Sequence, residues 1–303
     1  MKKENPFSYG GQAVMGGVMI RGRTSSAIAV RRMDGGIEIS IQPLATLYKG
    51  KWRNIPLVRG IIMLIETVAL GTSALMYSAK VSTETEDEKI TSGMIWGSVA
   101  VGVVLAVALF FVLPLLIVRF FDAYIASSFL SNLIEGLIRI VFFVVYLAMI
   151  GRMRDIREIF GYHGAEHMSV NAYESGVPLN VPSVRNYSTA HTRCGTSFLL
   201  VVLVIAVVVF ALLGRPPIWI GIISRIILIP VIAAVSYELL KFEAKHSHNR
   251  FVRWLLIPGL WLQALTTRKP SDSQLEVAIT AMQKALETDG VYPDINGCYA
   301  TSQ

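Results

Sequence analysis

Cysteine is scarce. Cys194 and Cys298 are the two in 303 residues, far apart and unlike a disulfide framework. Charge is scarce too: Asp, Glu, Lys and Arg make up 16% of the chain, against about 25% in soluble domains. A soluble chain of this length must cover a large surface with polar groups, so the shortage argues against a soluble globule. Residues 1–50 lack a long apolar stretch and carry Lys2, Lys3, Arg21, Arg23, Arg31, Arg32 and Lys49. No secretory signal peptide is expected from such a start. No internal repeat is visible. The glycine-rich run Gly10–Gly22 has no P-loop lysine behind it, and Gly195-Thr196-Ser197 does not complete a GxSxG elbow.

What is present is apolar. The chain is 53% hydrophobic with a mean hydropathy of +0.53, which excludes disorder and collagen-like repeats and points to an integral membrane protein. The net charge of +7 marks cytoplasmic flanks in such a chain, not contact with nucleic acid.

The pattern predicts a mainly α, polytopic helical membrane protein with a small N-terminal β unit. Residues 8–47 supply that unit: alternating segments flank Asp34-Gly35-Gly36, a hairpin signal. Residues 55–80 are apolar but broken by Arg59 and Glu66, and read as an interfacial or partly inserted helix. Residues 83–89 form a polar, mostly acidic loop. Four spans follow, at 94–118, 129–150, 197–213 and 218–240. The first contains Pro114, which can kink it. Glu135 and Arg139 lie four apart in the second and can pair; Arg225 and Pro230 interrupt the fourth. Residues 251–265, with Trp254 and Trp261, fit an interfacial helix or half-span. Ser271 and Gln274 match a capping box, and Leu275, Ala278, Ile279, Met282 and Leu286 repeat at helical spacing behind it. Gly290 ends that helix, and the last residues read as a loose tail. The boundaries are thus 1–54 for the β unit, 55–270 for the membrane domain and 271–303 for the helix and tail.

Arginine and lysine orient the spans. The basic start, the loop 151–196 and the segment after the fourth span fall on one side, which the positive-inside rule makes the cytoplasm. The expected location is the bacterial cytoplasmic membrane, with membrane lipid as the surrounding partner and an unidentified substrate or protein partner.

The loop 151–196 carries the chemistry. His163-Gly164-Ala165-Glu166-His167 puts two imidazoles four residues apart, on one helix face, where both reach one ion. Glu166 is placed to accept a proton from a water that the metal activates. HxxEH is the inverted zincin pattern. His191-Thr192-Arg193-Cys194 adds an imidazole and a thiol at zinc-ligand spacing. His163, His167, His191 and Cys194 would close a tetrahedral structural site; three ligands and a water would make an open catalytic one. Glu174, Glu238 and Glu243 are acidic alternatives, with Glu238 preferred because a carboxylate at a span boundary needs a partner. Arg193 or Asn186 would stabilise developing charge. His246-Ser247-His248 points in two directions on a helix and reads as a solvated cluster.

The strings GGQAVMGGVMIRG, PLVRG, GYHGAEHMSVNAYE, HTRCGTSF, SYELL and LQALTTRKP resemble the YqhQ-like family of bacterial integral membrane proteins. The resemblance runs from about residue 10 to 270. It implies a metal-dependent enzyme, names no reaction, and places His163, Glu166, His167, His191, Cys194 and Glu238 in the family's polar motifs. Gly16 departs from the glutamate expected in relatives, which weakens an acidic role in the N-terminal segment.

Two functions are expected from these observations. One is a hydrolase dependent on a divalent metal, Zn²⁺, at the cytoplasmic membrane face. The other is a non-enzymatic membrane scaffold or assembly protein with a structural metal.

Overall fold

The computed structural model describes residues 7–45, 55–82, 92–245, 249–295 and 297–299. The acidic stretch 83–89 and the His246-Ser247-His248 cluster lie outside the described residues.

The chain opens as an antiparallel meander of β1 (Gly10–Val14), β2 (Gly17–Arg21), β3 (Ser25–Arg31) and β4 (Ile37–Pro43), in the order β1-β2-β3-β4. The hairpin expected around Asp34-Gly35-Gly36 is β3–β4, with Ala27 opposite Ile41 and Arg31 opposite Ile37. The glycine-rich run is the β1–β2 hairpin. Gly16 stands in its turn at φ +64° beside Ser82, a left-handed conformation that glycine adopts without strain. A residue with a side chain there would be strained.

The helices are α1 (Val58–Ser82), α2 (Ser92–Val107), α3 (Leu113–Phe120), α4 (Ser128–Ile150), α5 (Arg154–Glu174), α6 (Val181–Val184), α7 (Gly195–Leu212), α8 (Ile218–Ile227), α9 (Ile229–Lys245), α10 (Arg250–Thr266) and α11 (Asp272–Thr288). A π-helical turn, Ala108–Val112, joins α2 to α3. Among the described residues, four helices are long and apolar enough to cross a membrane: Val58–Ser82, Trp96–Phe120, Ser128–Ile150 and Gly195–Leu212. The pair α8–α9 passes the same test as one unit bent by 46°. The four spans expected from hydropathy all fall on these segments. α1 joins them by length and composition, but one face of its second half is covered. Ala74 and Val81 pack with Val14, Met19, Ile28 and Val30 of the sheet. Its first half lies on α9, where a Cβ on Gly60 would come within 2.7 Å of Ala234 Cα.

The other face of the sheet carries α5 and α11, which share one core with Val18, Ile20, Ala27 and Ala29. The segment 151–196, expected as a loop, holds the 21-residue helix α5 and the short α6. The mixed polarity of α5 reflects three neighbours, since it is wedged between the sheet, α11 and the turn that follows it. In α11 the Ser271–Gln274 capping box is formed, and Leu275, Ala278, Ile279, Met282 and Leu286 are buried. The tail is not loose over its described residues. Pro293 bridges to Tyr299, and Tyr299 is buried in the same core.

Candidate metal centre

The site is built on one stripe of α5. His163, His167, Asn171 and Glu174 follow at helical spacing, so their side chains leave the same face. Each reaches the segment 188–194 or the end of α10. His163 Nδ1 lies 2.8 Å from the Thr266 carbonyl, and His167 Nδ1 lies 2.6 Å from the Thr189 carbonyl. A carbonyl only accepts, so each Nδ1 carries the proton. That leaves Nε2 as the lone-pair nitrogen of each ring. The two rings are 4.5 Å apart between centroids, and His163 Nε2 is 3.3 Å from Cys194 Sγ. One ligand atom from each of His163, His167 and Cys194 falls within 4.8 Å of the others.

Glycine lets the backbone come this close. A Cβ on Gly164 would sit 2.1 Å from the Arg268 carbonyl. Its absence allows the α10–α11 connection to cross α5, where Arg268 N donates to Phe160 O and Thr266 meets His163.

Cys194 is the N-cap of α7, its Sγ accepting from Thr196 N. Its turn is clamped by Gln263 of α10, a residue the sequence did not single out. Gln263 accepts from His191 N at 3.0 Å, donates to His191 O at 2.7 Å and donates to Ser197 Oγ at 2.8 Å. Asn171, also not singled out, donates to Ser188 O and Ala190 O and holds the approach to this turn on α5.

His191 stands next to the three. Its ring is 5.6 Å from that of His167. It is buried, and its Nε2 has no hydrogen-bond partner among the described residues; a Glu174 carboxylate oxygen is 3.6 Å away. Burial holds the His191 imidazole below its ordinary value, and the Glu166 carboxylate opposes that shift. Glu166 is itself 4% exposed, with Oε2 3.6 Å from His167 Nε2. The buried carboxylate therefore borders the group.

The remaining candidates are elsewhere. Glu238 is not brought to the group: both its oxygens are held by Arg59 of α1, and Leu57 N donates to it at 3.0 Å. Its need for a partner at a helix boundary is met by a cation. Arg193 is paired with Glu174, and Asn186 donates to Pro182 O within the α6 turn. Glu243 is buried and lines a cavity beside Cys194.

Residues 55–288 match a family described as "Protein of unknown function (DUF1385)". The chain is 34% identical over 304 residues to "Uncharacterized protein YqhQ" of Bacillus subtilis (strain 168), a match covering 96% of each. No solved structure matches.

Proposed function

The chain belongs to the DUF1385 family, the YqhQ-like group that its motifs resemble, and we propose that it is a membrane-embedded hydrolase dependent on a divalent metal, Zn²⁺. The observation that carries this reading is the pair of Nδ1–carbonyl contacts. Metal-binding histidines almost always give their second ring N–H to a carbonyl or carboxylate, which fixes the tautomer and aims the other nitrogen. His163 and His167 both do so, toward a common point with Cys194. A tetrahedral Zn²⁺ separates its ligand atoms by about 3.3–3.8 Å. The 3.3 Å between His163 Nε2 and Cys194 Sγ is already in that range.

Three ligands leave a fourth position for water, and a bound Zn²⁺ supplies Lewis acidity there. Glu166 does what the chain itself can do. As a buried carboxylate beside His167 it accepts a proton from the attacking water and returns it to the leaving group. Arg193 lines the neighbouring cavity and stabilises developing negative charge. In this reading the segments 96–120, 128–150, 195–212 and 218–243 cross the cytoplasmic membrane. The sheet, α5 and α11 lie on the cytoplasmic side, where the basic residues concentrate.

A second reading rests on His191. Its orphaned Nε2 could supply the fourth ligand, closing the site as a structural zinc in a scaffold or assembly protein. One experiment separates the two: metal content by mass spectrometry on detergent-purified protein, with X-ray absorption at the zinc edge. The hydrolase reading expects one zinc per chain, lost in His163→Ala and kept in Glu166→Gln and His191→Ala. A zinc with three nitrogens and one sulfur, lost in His191→Ala, would establish the closed site. Zinc-replete growth that yields intact protein without metal would sink both readings.

A further inference from the structure

A cavity of about 550 Å³ borders Cys194, between the first half of α1, the start of α7 and the second half of α9. The size falls in the range of small-molecule and cofactor pockets, about 300–1,000 Å³. Its wall is divided by chemistry. Met63, Leu64, Phe198 and Leu240 make the apolar part; Arg193 and Lys241 bring positive charge. α7 starts at Gly195 on the same wall, so the positive end of its dipole adds to those cations. A second cleft adjoins this one through shared residues and carries Arg21 and Arg23 at the sheet edge. Four cations, Arg21, Arg23, Arg193 and Lys241, and two carboxylates, Glu66 and Glu243, line the two spaces; Arg21 is paired with Glu66 and Arg193 with Glu174.

The surroundings identify the occupant. Ile61, Ile65, Leu199 and Val235, on the three helices that form the cavity, are all exposed. They belong to helices apolar enough to lie in a bilayer. A pocket walled by such helices has lipid within reach, and a cationic end selects an anionic headgroup.

We propose that this cavity binds one anionic phospholipid. Its phosphate lies by Arg193 and Lys241, and an acyl chain runs along Met63, Leu64, Phe198 and Leu240. The lipid is thereby presented to the His163–His167–Cys194 group, with Cys194 forming the boundary between cavity and group. Binding stands on the cavity alone. That the lipid is the substrate class rests on the hydrolase reading above.

The test is native mass spectrometry of the full chain in mild detergent, titrated separately with dioleoyl phosphatidylglycerol, dioleoyl phosphatidylcholine and sn-glycerol 3-phosphate. Zinc is measured in every sample. We expect one phosphatidylglycerol retained per chain, and phosphatidylcholine retained at least about fivefold less, the discrimination of a single basic residue. Lys241→Gln should weaken phosphatidylglycerol about fivefold and leave phosphatidylcholine unchanged. Leu64→Trp/Leu240→Trp, which fills the apolar part, should abolish retention while zinc stays. If that double variant fails to fold, Lys241→Gln and Arg23→Gln still decide. Equal retention of the two lipids in wild type and in both charge variants would overturn the proposal. So would glycerol phosphate binding as tightly as the lipid. Selective phosphatidylglycerol binding in a chain without zinc would uphold the lipid site and remove the hydrolase reading.

Discussion

At the scale of single residues, the site depends on an absent side chain. Gly164 lies between the two histidines, and the Arg268 carbonyl occupies the space a Cβ would take, at 2.1 Å. In Gly164→Ala the crossing strand must move, and Thr266 O moves with it. His163 then loses the acceptor that fixes its tautomer. We expect a destabilisation of about 1–3 kcal/mol, as for other overpacked contacts, together with loss of zinc affinity. Thermal unfolding and zinc stoichiometry on the same sample measure both. A variant that loses stability but keeps full zinc affinity would show that the Thr266 contact does not orient His163. The histidines and Cys194 were legible in the sequence, because imidazole and thiol in short spacings have few other uses. Their supports were not. Thr266 and Thr189 act through backbone carbonyls, which carry no side-chain signature. Gln263 lies 72 residues from His191, inside an apolar segment whose pattern reports only hydropathy. Glu238 misled for a related reason. A carboxylate at a helix boundary does need a partner, but the sequence does not say whether that partner is a metal or Arg59.

At the scale of elements, the charges within the apolar helices explain one another. Arg139 and Glu135 pair within α4 as their spacing predicted, and Arg225 of α8 joins the same carboxylate. All three are at most 2% exposed. The i,i+4 pair was legible; the third member was not, because nothing local ties residue 225 to residue 135. Pro114 has no N–H to return to Phe110, four residues earlier. The chain takes a π-helical turn there, and Arg139 Nε donates to the Phe110 carbonyl at 2.8 Å. Phe111 and Phe210 face the Arg139 guanidinium, with Phe210 also facing that of Arg225. One carboxylate thus joins α4 to α8, and Arg139 ties both to the π-turn. Removing the shared partner of a buried ion group is strongly destabilising. Glu135→Gln should cost about 3–5 kcal/mol, read from unfolding in mixed micelles. Adding Arg225→Met should recover part of it, since one fewer guanidinium is stranded. No recovery would mean that Arg225 is held by its other contacts, at Gly221 O and Phe210.

At the scale of the whole molecule, the core that unites the sheet, α5 and α11 constrains how the chain meets a membrane. Its parts come from before the first long apolar segment of the four expected spans, from between the second and third, and from after the fourth. They can share one core only if an even number of crossings separates them. The segments 96–120 with 128–150, and 195–212 with 218–243, supply two such pairs. α1 must then begin and end on the side of the core, which agrees with its second half lying on the sheet. If it crossed completely, β4 and α5 would be parted by three crossings and the shared core could not form. With these pairs crossing, the connections 121–127 and 213–217 would lie opposite. In right-side-out membrane vesicles, Ala126→Cys in a chain lacking both native cysteines should react with a membrane-impermeant maleimide. Asp34→Cys, in the β3–β4 turn, should react only after the vesicles are opened. Labelling of residue 34 from outside would reverse the orientation and put the basic face and the candidate metal group outside the cell. Labelling of both from outside would leave 96–120 short of a full crossing. The expected pattern, core inside and residue 126 outside, requires α1 to lie along the cytoplasmic boundary, where its first half forms one wall of the lipid cavity.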